Sequence, residues 1–408
     1  MRTRPIRTLL FSTLYPSSTR PGHGIFVETR LRELLKTGEV ESRVVAPVPW
    51  FPSVDPRYGR YATMALTPPA EERHGIAVTH PRYPAVPRVG MTIAPGLLAL
   101  ASIPAIRRLS KSGFDFDLID AHYFYPDGVA AALLARRFGK PLTITARGTD
   151  LNLIPMYVLP RRMMQWAAQQ ADASIGVCAA LVEVLRAWRI DPARLHVLPN
   201  GVDLQRFRPL PQEESRRALG IDGAPVLLSV GHLTERKGHH VAVGAMPAVL
   251  RRRPEARLII IGEGEERSRL AGQIHALGLD HAVTLVGAMP NDGMATWYSA
   301  ADALILASSR EGWANVLLEA MACGTPVVAT RIWGTPEVLA NDDVGTLVDR
   351  REAEPFADAL LQLLALPRDR VVIRHYAEGF SWAQTSSRQV ALFHDIVERR
   401  TAAQAQHG

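Results

Sequence analysis

The sequence predicts an α/β protein made of two doubly wound, Rossmann-like domains in tandem. Three features point there. Short apolar, β-rich runs alternate with helical patterns through the first half of the chain. A turn-rich stretch, Pro199-Asn200-Gly201-Val202-Asp203 and then Arg206-Phe207-Arg208-Pro209, interrupts them. Beyond it the same alternation begins again. Short buried strands separated by amphipathic helices are how a parallel sheet covered on both faces reads in sequence.

The elements follow in order. Strands are expected at Thr8–Phe11, Arg43–Val48, Leu118–Asp120, Leu142–Thr145, Ser174–Val177 and Leu195–Leu198. Helical periods fall between them at Glu28–Lys36, Val129–Phe138 and Leu181–Trp188. After the break, strands are expected at Val226–Val230, Leu258–Ile261, Val283–Val286, Ala303–Leu306, Pro326–Ala329 and Gly345–Val348. Helices intervene at His239–Arg252, Arg267–Leu277, Asn315–Ala322 and Glu352–Leu366. The tail from Tyr376 reads as an amphipathic helix returning towards the first domain, with a frayed polar end at Thr401–Gly408. The expected division is therefore 1–198, 199–375 and 376–408. A chain of 408 residues exceeds one ordinary core, and two domains of about 150–200 residues suit it. Ligands bind beyond the carboxyl ends of the strands in such sheets, so the two sheets are expected to face a shared cleft.

With 47% hydrophobic and 21% charged residues, the composition excludes a disordered or fibrous chain. The net charge of +7 is spread along the sequence. It favours anionic partners, whether nucleotide phosphates, acidic lipid headgroups or nucleic acid, without choosing among them. The only cysteines, Cys178 and Cys323, sit in apolar or small-residue runs and form no Cys-x-x-Cys. That pattern argues against structural zinc and suits a reducing compartment, the cytoplasm.

Basic residues occur in Met1-Arg2-Thr3-Arg4-Pro5, but the following run Leu9-Leu10-Phe11 is too short for a signal peptide. The longest apolar stretch, Ala94 to Ile106, contains Pro95 and Pro104 and is expected to be too short to span a bilayer. The segment Ile93–Leu109, followed by Lys111 and containing Arg107-Arg108, has two readings. It is a surface helix in peripheral contact with anionic lipid, on the inner face of the cytoplasmic membrane, or a helix buried in the first domain.

The strongest chemical signal follows the expected strand Ala303–Leu306. It runs Ser308-Ser309-Arg310-Glu311-Gly312-Trp313-Ala314-Asn315-Val316-Leu317-Leu318-Glu319-Ala320-Met321-Ala322-Cys323-Gly324-Thr325-Pro326-Val327-Val328-Ala329-Thr330. Its parts read as loop, helix, stop and strand. Gly312 lets backbone amides come close to a ligand. A helix starting near Asn315 offers open N–H groups and a positive dipole end to a phosphate. Glu311 lies in the loop and Glu319 two turns into the helix, so local spacing makes no tight dyad. Each can instead grip a vicinal diol at opposite ends of an extended ligand, since a carboxylate accepts two hydroxyl hydrogen bonds. A loop charge and a helix-surface glutamate are an equally good reading of these residues alone.

That frame, two glutamates seven residues apart with Glu-Gly-Trp before and Ala-Met-Ala-Cys-Gly-Thr-Pro-Val-Val-Ala-Thr after, resembles retaining glycosyltransferase family 4. These group 1 glycosyltransferases have the GT-B architecture, two Rossmann-like domains facing an interdomain cleft. The resemblance covers nearly the whole chain and is strongest from Asn200 to Val348. It implies that Glu311 contacts hydroxyls of the donor sugar and that Glu319 holds the ribose hydroxyls of the nucleotide. It also implies that the backbone of Gly312, Trp313, Ala314, Asn315 and Val316 faces the sugar and diphosphate.

A second segment, Gly231-His232-Leu233-Thr234-Glu235-Arg236-Lys237-Gly238, follows the strand Val226–Val230. Its adjacent cations can neutralise a departing diphosphate, or are simply solvated. The resemblance implies that the Lys-Gly pair binds the donor diphosphate. Many members carry Arg after the strand-end glycine, where this chain has His232, so either Arg236 supplies the second positive charge or Lys237 acts alone. Glu311, Lys237 and Arg236 are thus the expected catalytic set. Gly262-Glu263-Gly264-Glu265-Glu266-Arg267 is a tight turn whose acids would repel a pyrophosphate, which argues against a dinucleotide fingerprint. By resemblance, Gly264 lies near the nucleotide and Met289, in Gly287-Ala288-Met289-Pro290, near its base.

In the first domain, Pro21-Gly22-His23-Gly24 follows strand one and precedes a helix. It is a flexible turn or a loop allowing backbone approach to phosphate or acceptor, and the resemblance favours function for Gly24. His122 ends the strand Leu118–Asp120, in place for acceptor binding or proton transfer, although a lone histidine is more often structural. Thr145-Ala146-Arg147-Gly148-Thr149-Asp150 ends the next strand. Many relatives have His-Gly-x-Asp there. Arg147 replaces that imidazole and suits a phosphate or acidic group, with Asp150 orienting the loop. His122, Arg147 and Asp150 are assigned to the acceptor side.

The resemblance implies retention by front-side attack, with the leaving diphosphate accepting the acceptor's proton. The donor domain has no Asp-x-Asp and Asn341-Asp342-Asp343 reads as a turn, so no bound metal or cofactor is expected. The expected donor is a UDP- or GDP-hexose and the acceptor a glycan or lipid-linked molecule of polysaccharide or glycolipid biosynthesis; nucleic acid is not an expected partner. The alternatives are a nucleotide-sugar 2-epimerase of the same architecture and a non-catalytic nucleotide-sugar-binding protein.

Overall fold

The computed structural model describes residues 4–85 and 90–405. The basic start at 1–3 and the last three residues of the expected frayed tail lie outside the described residues. The chain divides into two compact units. The first comprises Met1–Pro199 with Ala383–Gly408, and the second Asn200–Trp382.

Among the described residues the first unit holds ten strands: β1 (Ile6–Phe11), β2 (Val40–Val45), β3 (Val48–Trp50), β4 (Ala70–Arg73), β5 (Ile76–Thr79), β6 (Arg82–Pro84), β7 (Leu118–His122), β8 (Leu142–Ala146), β9 (Ala173–Gly176) and β10 (Leu195–Val197). Eight form one sheet in the order β10-β9-β8-β7-β1-β2-β5-β4, parallel except for the β4–β5 hairpin; β3 and β6 pair separately. Strands β7, β8 and β9 are buried along their whole length, as expected when helices cover both faces; the polar Asp120 and His122 of β7 are buried with hydrogen-bond partners. The β4–β5 edge escapes the sequence pattern because Glu71, Glu72 and Arg73 make β4 polar at an exposed edge.

The tail is not one helix from Tyr376. Arg370–Glu378 is a helix of the second unit, capped by the Asp369 side chain. A separate helix, Trp382–Ala405, enters the first unit and carries residues 401–405 of the supposed frayed end. There Val390, Leu392, Phe393 and Ile396 pack with Ile6, Leu34, Leu118 and Ile175.

A second departure concerns the apolar segment near residue 100. It is one continuous 22-residue helix, Gly90–Lys111, which by length and composition is sufficient to cross a membrane. The prolines do not end it. Pro104 deprives Leu100 of its helical donor, at a residue on the exposed face of the helix. Pro95, Leu98, Ala99, Ser102, Ala105 and Ile106 form the buried stripe at helical spacing, while Met91, Ile93, Leu100, Arg107, Arg108 and Lys111 are exposed. One face of the helix is thus packed into the first unit and the other is exposed.

The second unit holds β11 (Val226–Val230), β12 (Arg257–Ile261), β13 (Val283–Gly287), β14 (Ala303–Leu306), β15 (Val327–Thr330) and β16 (Gly345–Val348). They form one parallel sheet in the order β13-β12-β11-β14-β15-β16. This is the Rossmann order, and its topological switch point lies between β11 and β14. The core joins Leu227, Leu258, Ile260 and Ile305 of the strands to Val241, Met246 and Val249 of helix His239–Arg252 and Phe356 and Leu360 of helix Ala353–Ala365.

Candidate active site

In the second unit the loops leaving β11 and β14 flank the switch point, where the strands' carboxyl ends leave a crevice. Two glycines explain how closely these loops meet. Gly238 has φ +75°, and a Cβ there would lie 1.8 Å from the Ala307 carbonyl oxygen, so no other residue lets the two chains touch. Gly264 behaves likewise: its Cβ would sit 2.4 Å from the Leu233 oxygen. Its glycine is accounted for by loop packing, which brings the β12 loop against the β11 loop. Two hydrogen bonds hold the arrangement, from Ser309 N to Arg236 O at 2.8 Å and from Arg236 Nη1 to Arg310 O at 2.8 Å.

The contact carries Lys237 to Glu311. Lys237 Nζ lies 2.6 Å from Glu311 Oε1, Ser308 Oγ donates to the same oxygen at 2.7 Å, and Arg236 Nη1 is 3.7 Å away. Glu311 is buried. Burial pushes its carboxyl up, but Lys237, Arg236 and Ser308 outweigh it and hold the group below its usual value. Arg236 is the more exposed of the two cations.

Helix Asn315–Ala322 begins four residues after Glu311, and no side chain caps its amino end. Gly312, Trp313 and Ala314 are buried in the approach to it, and Asn315 and Val316 are half-buried. Trp313 packs against Phe380 at 6.0 Å, and its Nε1 is buried without a hydrogen-bond partner among the described residues. Glu319, on the second turn, accepts a 2.8 Å hydrogen bond from Tyr298 Oη. Burial raises its pKa; Tyr298, Arg206 and Lys237 oppose the rise. Lys237 thus acts on both glutamates. Met289 is exposed in the loop after β13.

Sequence reasoning gave no role to Ser308, Tyr298, Arg206 or Asn200. Ser308 stood inside the motif without a partner to suggest its use. Tyr298 lies in helix Met294–Ala300, which the sequence reading did not place. Asn200 read as a turn residue, yet its Nδ2 donates to Asn315 Oδ1 at 3.2 Å.

In the first unit, His122, Arg147 and Asp150 come together at the carboxyl ends of β7 and β8, but they are buried. Arg147 Nη2 donates to His122 Nδ1. A guanidinium only donates, so the imidazole proton is on Nε2, which faces Asp120 Oδ2 at 3.2 Å. Burial drives the His122 pKa down to about 4, against the pull of Asp120 and with the push of Arg147. Its imidazole is neutral and enclosed at neutral pH. Asp120 also accepts from Thr143 Oγ1 at 2.9 Å and Gln389 Nε2 at 3.3 Å; Gln389 in turn accepts from the buried Arg30 at 2.8 Å. Asp150 accepts from the backbone N–H groups of Phe124, Arg147 and Gly148 at 2.7–3.0 Å, which fixes both loops. Gly24 has φ +60°, and its Cβ would meet the Leu14 oxygen at 1.9 Å, so it too serves a close backbone approach.

Residues 211–380 match the family described as Glycosyl transferases group 1, and residues 22–206 match Glycosyltransferase Family 4. The chain is 32% identical over 325 residues to a D-inositol 3-phosphate glycosyltransferase of Pseudarthrobacter chlorophenolicus, covering 75% of this chain and 77% of that protein. It is 30% identical over 362 residues to the putative teichuronic acid biosynthesis glycosyltransferase TuaC of Bacillus subtilis, covering 87% and 88%. The chain belongs to glycosyltransferase family 4. Among solved structures, the glycosyltransferase is similar to sucrose-phosphate synthase from Thermosynechococcus elongatus, with TM-score 0.78, 22% identity and coverage of 97% and 100%. It is also similar to Anabaena HepE in complex with UDP, with TM-score 0.73, 20% identity and coverage of 96% and 100%. The fold of this glycosyltransferase is therefore GT-B, and it carries its two glutamates, Lys237 and the open helix end on the sheet of the second unit.

Proposed function

We propose that the glycosyltransferase transfers a hexose, with retention, from a UDP- or GDP-sugar to a glycan or lipid-linked acceptor of polysaccharide or glycolipid biosynthesis. One observation carries the donor assignment: Lys237, Glu311 and the uncapped helix Asn315–Ala322 meet at the switch point of a Rossmann sheet. The helix end and Lys237 suit a diphosphate, Glu311 the hydroxyls of the sugar, and Glu319 the ribose diol. HepE crystallised with UDP and with UDP-glucose supports a uridine donor. The names of the two curated relatives support an acceptor from cell-envelope or small-molecule glycosylation.

In this reading the bond between the sugar's anomeric carbon and the diphosphate oxygen breaks as the acceptor oxygen bonds to the same face. The acceptor's proton passes to the departing diphosphate. Lys237 and Arg236 stabilise the charge growing on that group, a stronger interaction in the transition state than in the ground state. These cations do the work a divalent metal would otherwise do, so turnover is expected to survive EDTA. The acceptor lies on the carboxyl edge of the first unit's sheet. The enzyme works in the cytoplasm, and the exposed apolar residues of helix Gly90–Lys111, beside Arg107, Arg108 and Lys111, make peripheral contact with anionic lipid. Absence of co-sedimentation with anionic vesicles would remove that contact from the account.

The test is a panel of UDP- and GDP-sugars with and without candidate acceptors. Acceptor-dependent release of nucleoside diphosphate, with the product's anomeric configuration matching the donor's, is the expected outcome. Acceptor-independent inversion at C2 would identify an epimerase instead, and binding without turnover a non-catalytic protein.

A further inference from the structure

Glu319 has one hydrogen-bond partner for its carboxylate among the described residues, the phenol of Tyr298. Tyr298 is fully buried, so it cannot touch a ligand. It is rigidly seated: its ring meets Phe207 edge-on at 5.9 Å, and its carbonyl accepts from Thr325 Oγ1 at 2.5 Å. Oε2 of Glu319 is the atom it engages, which leaves Oε1 for another donor.

We infer that Tyr298 is a positioning residue for donor binding, fixing Glu319 Oε2 so that the carboxylate presents Oε1 to the nucleotide ribose. The inference rests on the donor reading given above. Burial keeps the phenol protonated well above neutrality, so it acts only as a donor. The same burial raises Glu319, and the Tyr298 hydrogen bond opposes it. The other groups facing Glu319 are Arg206, Lys237 and the Cys323 thiol. Burial pushes the thiol up to about 12. Glu319 is therefore the group that titrates here on the acid side.

The test uses the full-length enzyme and the variants Tyr298→Phe, Glu319→Gln and the double variant, with UDP and GDP as probes. Phe keeps the ring against Phe207, so the melting temperature is expected to stay near that of the wild type. Donor KM and the nucleotide Kd are expected to rise about tenfold or more, the worth of a hydrogen bond to a charged group, while kcat at saturating donor is unchanged. The fall in donor affinity on acidification is expected to begin at higher pH in Tyr298→Phe. In the double variant the phenylalanine is expected to add nothing further. A loss of kcat at unchanged donor KM, an unmoved acid limb, or full additivity would overturn the inference. If Glu319→Gln itself leaves nucleotide affinity intact, the donor assignment falls and the inference with it. If Glu319→Gln weakens binding and Tyr298→Phe does not, only the role of Tyr298 falls.

Discussion

Replacing Lys237 by Met removes one charge while keeping an unbranched apolar stem in the same space. The Nζ lies 2.6 Å from Glu311 Oε1, and the two side chains are only 15% and 8% exposed. At an effective dielectric near 20 the attraction is about 6 kcal/mol, much of it offset by desolvation, so the informative quantity is the cost of orphaning Glu311. Breaking a buried pair from one side costs about 3–5 kcal/mol; Arg236, 3.7 Å from the same oxygen, holds the loss to the lower end. Loss of one charge aimed at the leaving group lowers kcat by roughly 100- to 1,000-fold.

The pH dependence gives an internal check. In the wild type Glu311 titrates below its usual value, so its contribution is present above the unfolded carboxyl pKa and is lost as pH falls through the lower folded value. Without Lys237, burial dominates and the folded pKa rises above the unfolded one. The variant's stability deficit should then grow as pH rises above the usual glutamate range and shrink in acid. Nucleoside diphosphate release, with thermal melts at pH 5 and pH 8, reads both effects. Turnover within threefold of wild type, together with a deficit that does not change with pH, would refute the reasoning.

Three further outcomes follow from other parts of the molecule. Gly238→Ala is expected to destabilise the second unit by about 2–5 kcal/mol, since it adds left-handed strain and a contact with Ala307 that the loops must open to relieve; donor binding measured by titration should fall with it, and a variant of wild-type stability and affinity would contradict the loop contact. Asp127 is fully buried, holds Thr13 Oγ1 at 3.0 Å, and is pushed up by burial to about 8. Its neutral form is the folded one, so folding takes up a proton between the unfolded and folded pKa values and stability declines across that window as pH rises. Asp127→Asn should therefore gain on the wild type from pH 5 to pH 8, by at most about 4 kcal/mol, and level off beyond; urea titrations across that range check it, and a flat difference would contradict it. Gln389→Ala strips a partner from both Arg30 and Asp120 and is expected to cost about 2–4 kcal/mol in the melting of the first unit while leaving UDP or GDP affinity in place.

Much of the fold was legible because strands buried on both faces must be apolar throughout. Val226–Val230, Ala303–Leu306 and Gly345–Val348 begin and end where their apolar runs do. Two elements were read incompletely: the polar hairpin strand Ala70–Arg73 shows no apolar alternation, and the two prolines concealed the full length of helix Gly90–Lys111. For the site, the sequence placed Glu311, Lys237 and Glu319 in loops and a helix that the fold does gather at one switch point. It could not reveal why the glycines stand where they do. Gly24 read as a turn or a backbone approach to a ligand, Gly264 as part of a tight turn and Gly238 as the residue before a helix, whereas a Cβ on each would collide with backbone at Leu14, Leu233 or Ala307 respectively. Nor could it reveal partners distant in sequence, such as Tyr298 on Glu319 or Gln389 on Arg30, since no local period marks a hydrogen bond between separate helices.

The assignment of the ribose to Glu319 is measured most directly by titrating UDP, GDP and their 2′,3′-dideoxy forms into the wild type and Glu319→Ala. The wild type should prefer the complete ribose by about tenfold or more, in keeping with hydrogen bonds to a charged group, and the variant should lose that preference while still binding the diphosphate. An unchanged preference in Glu319→Ala would mean that the ribose is held elsewhere.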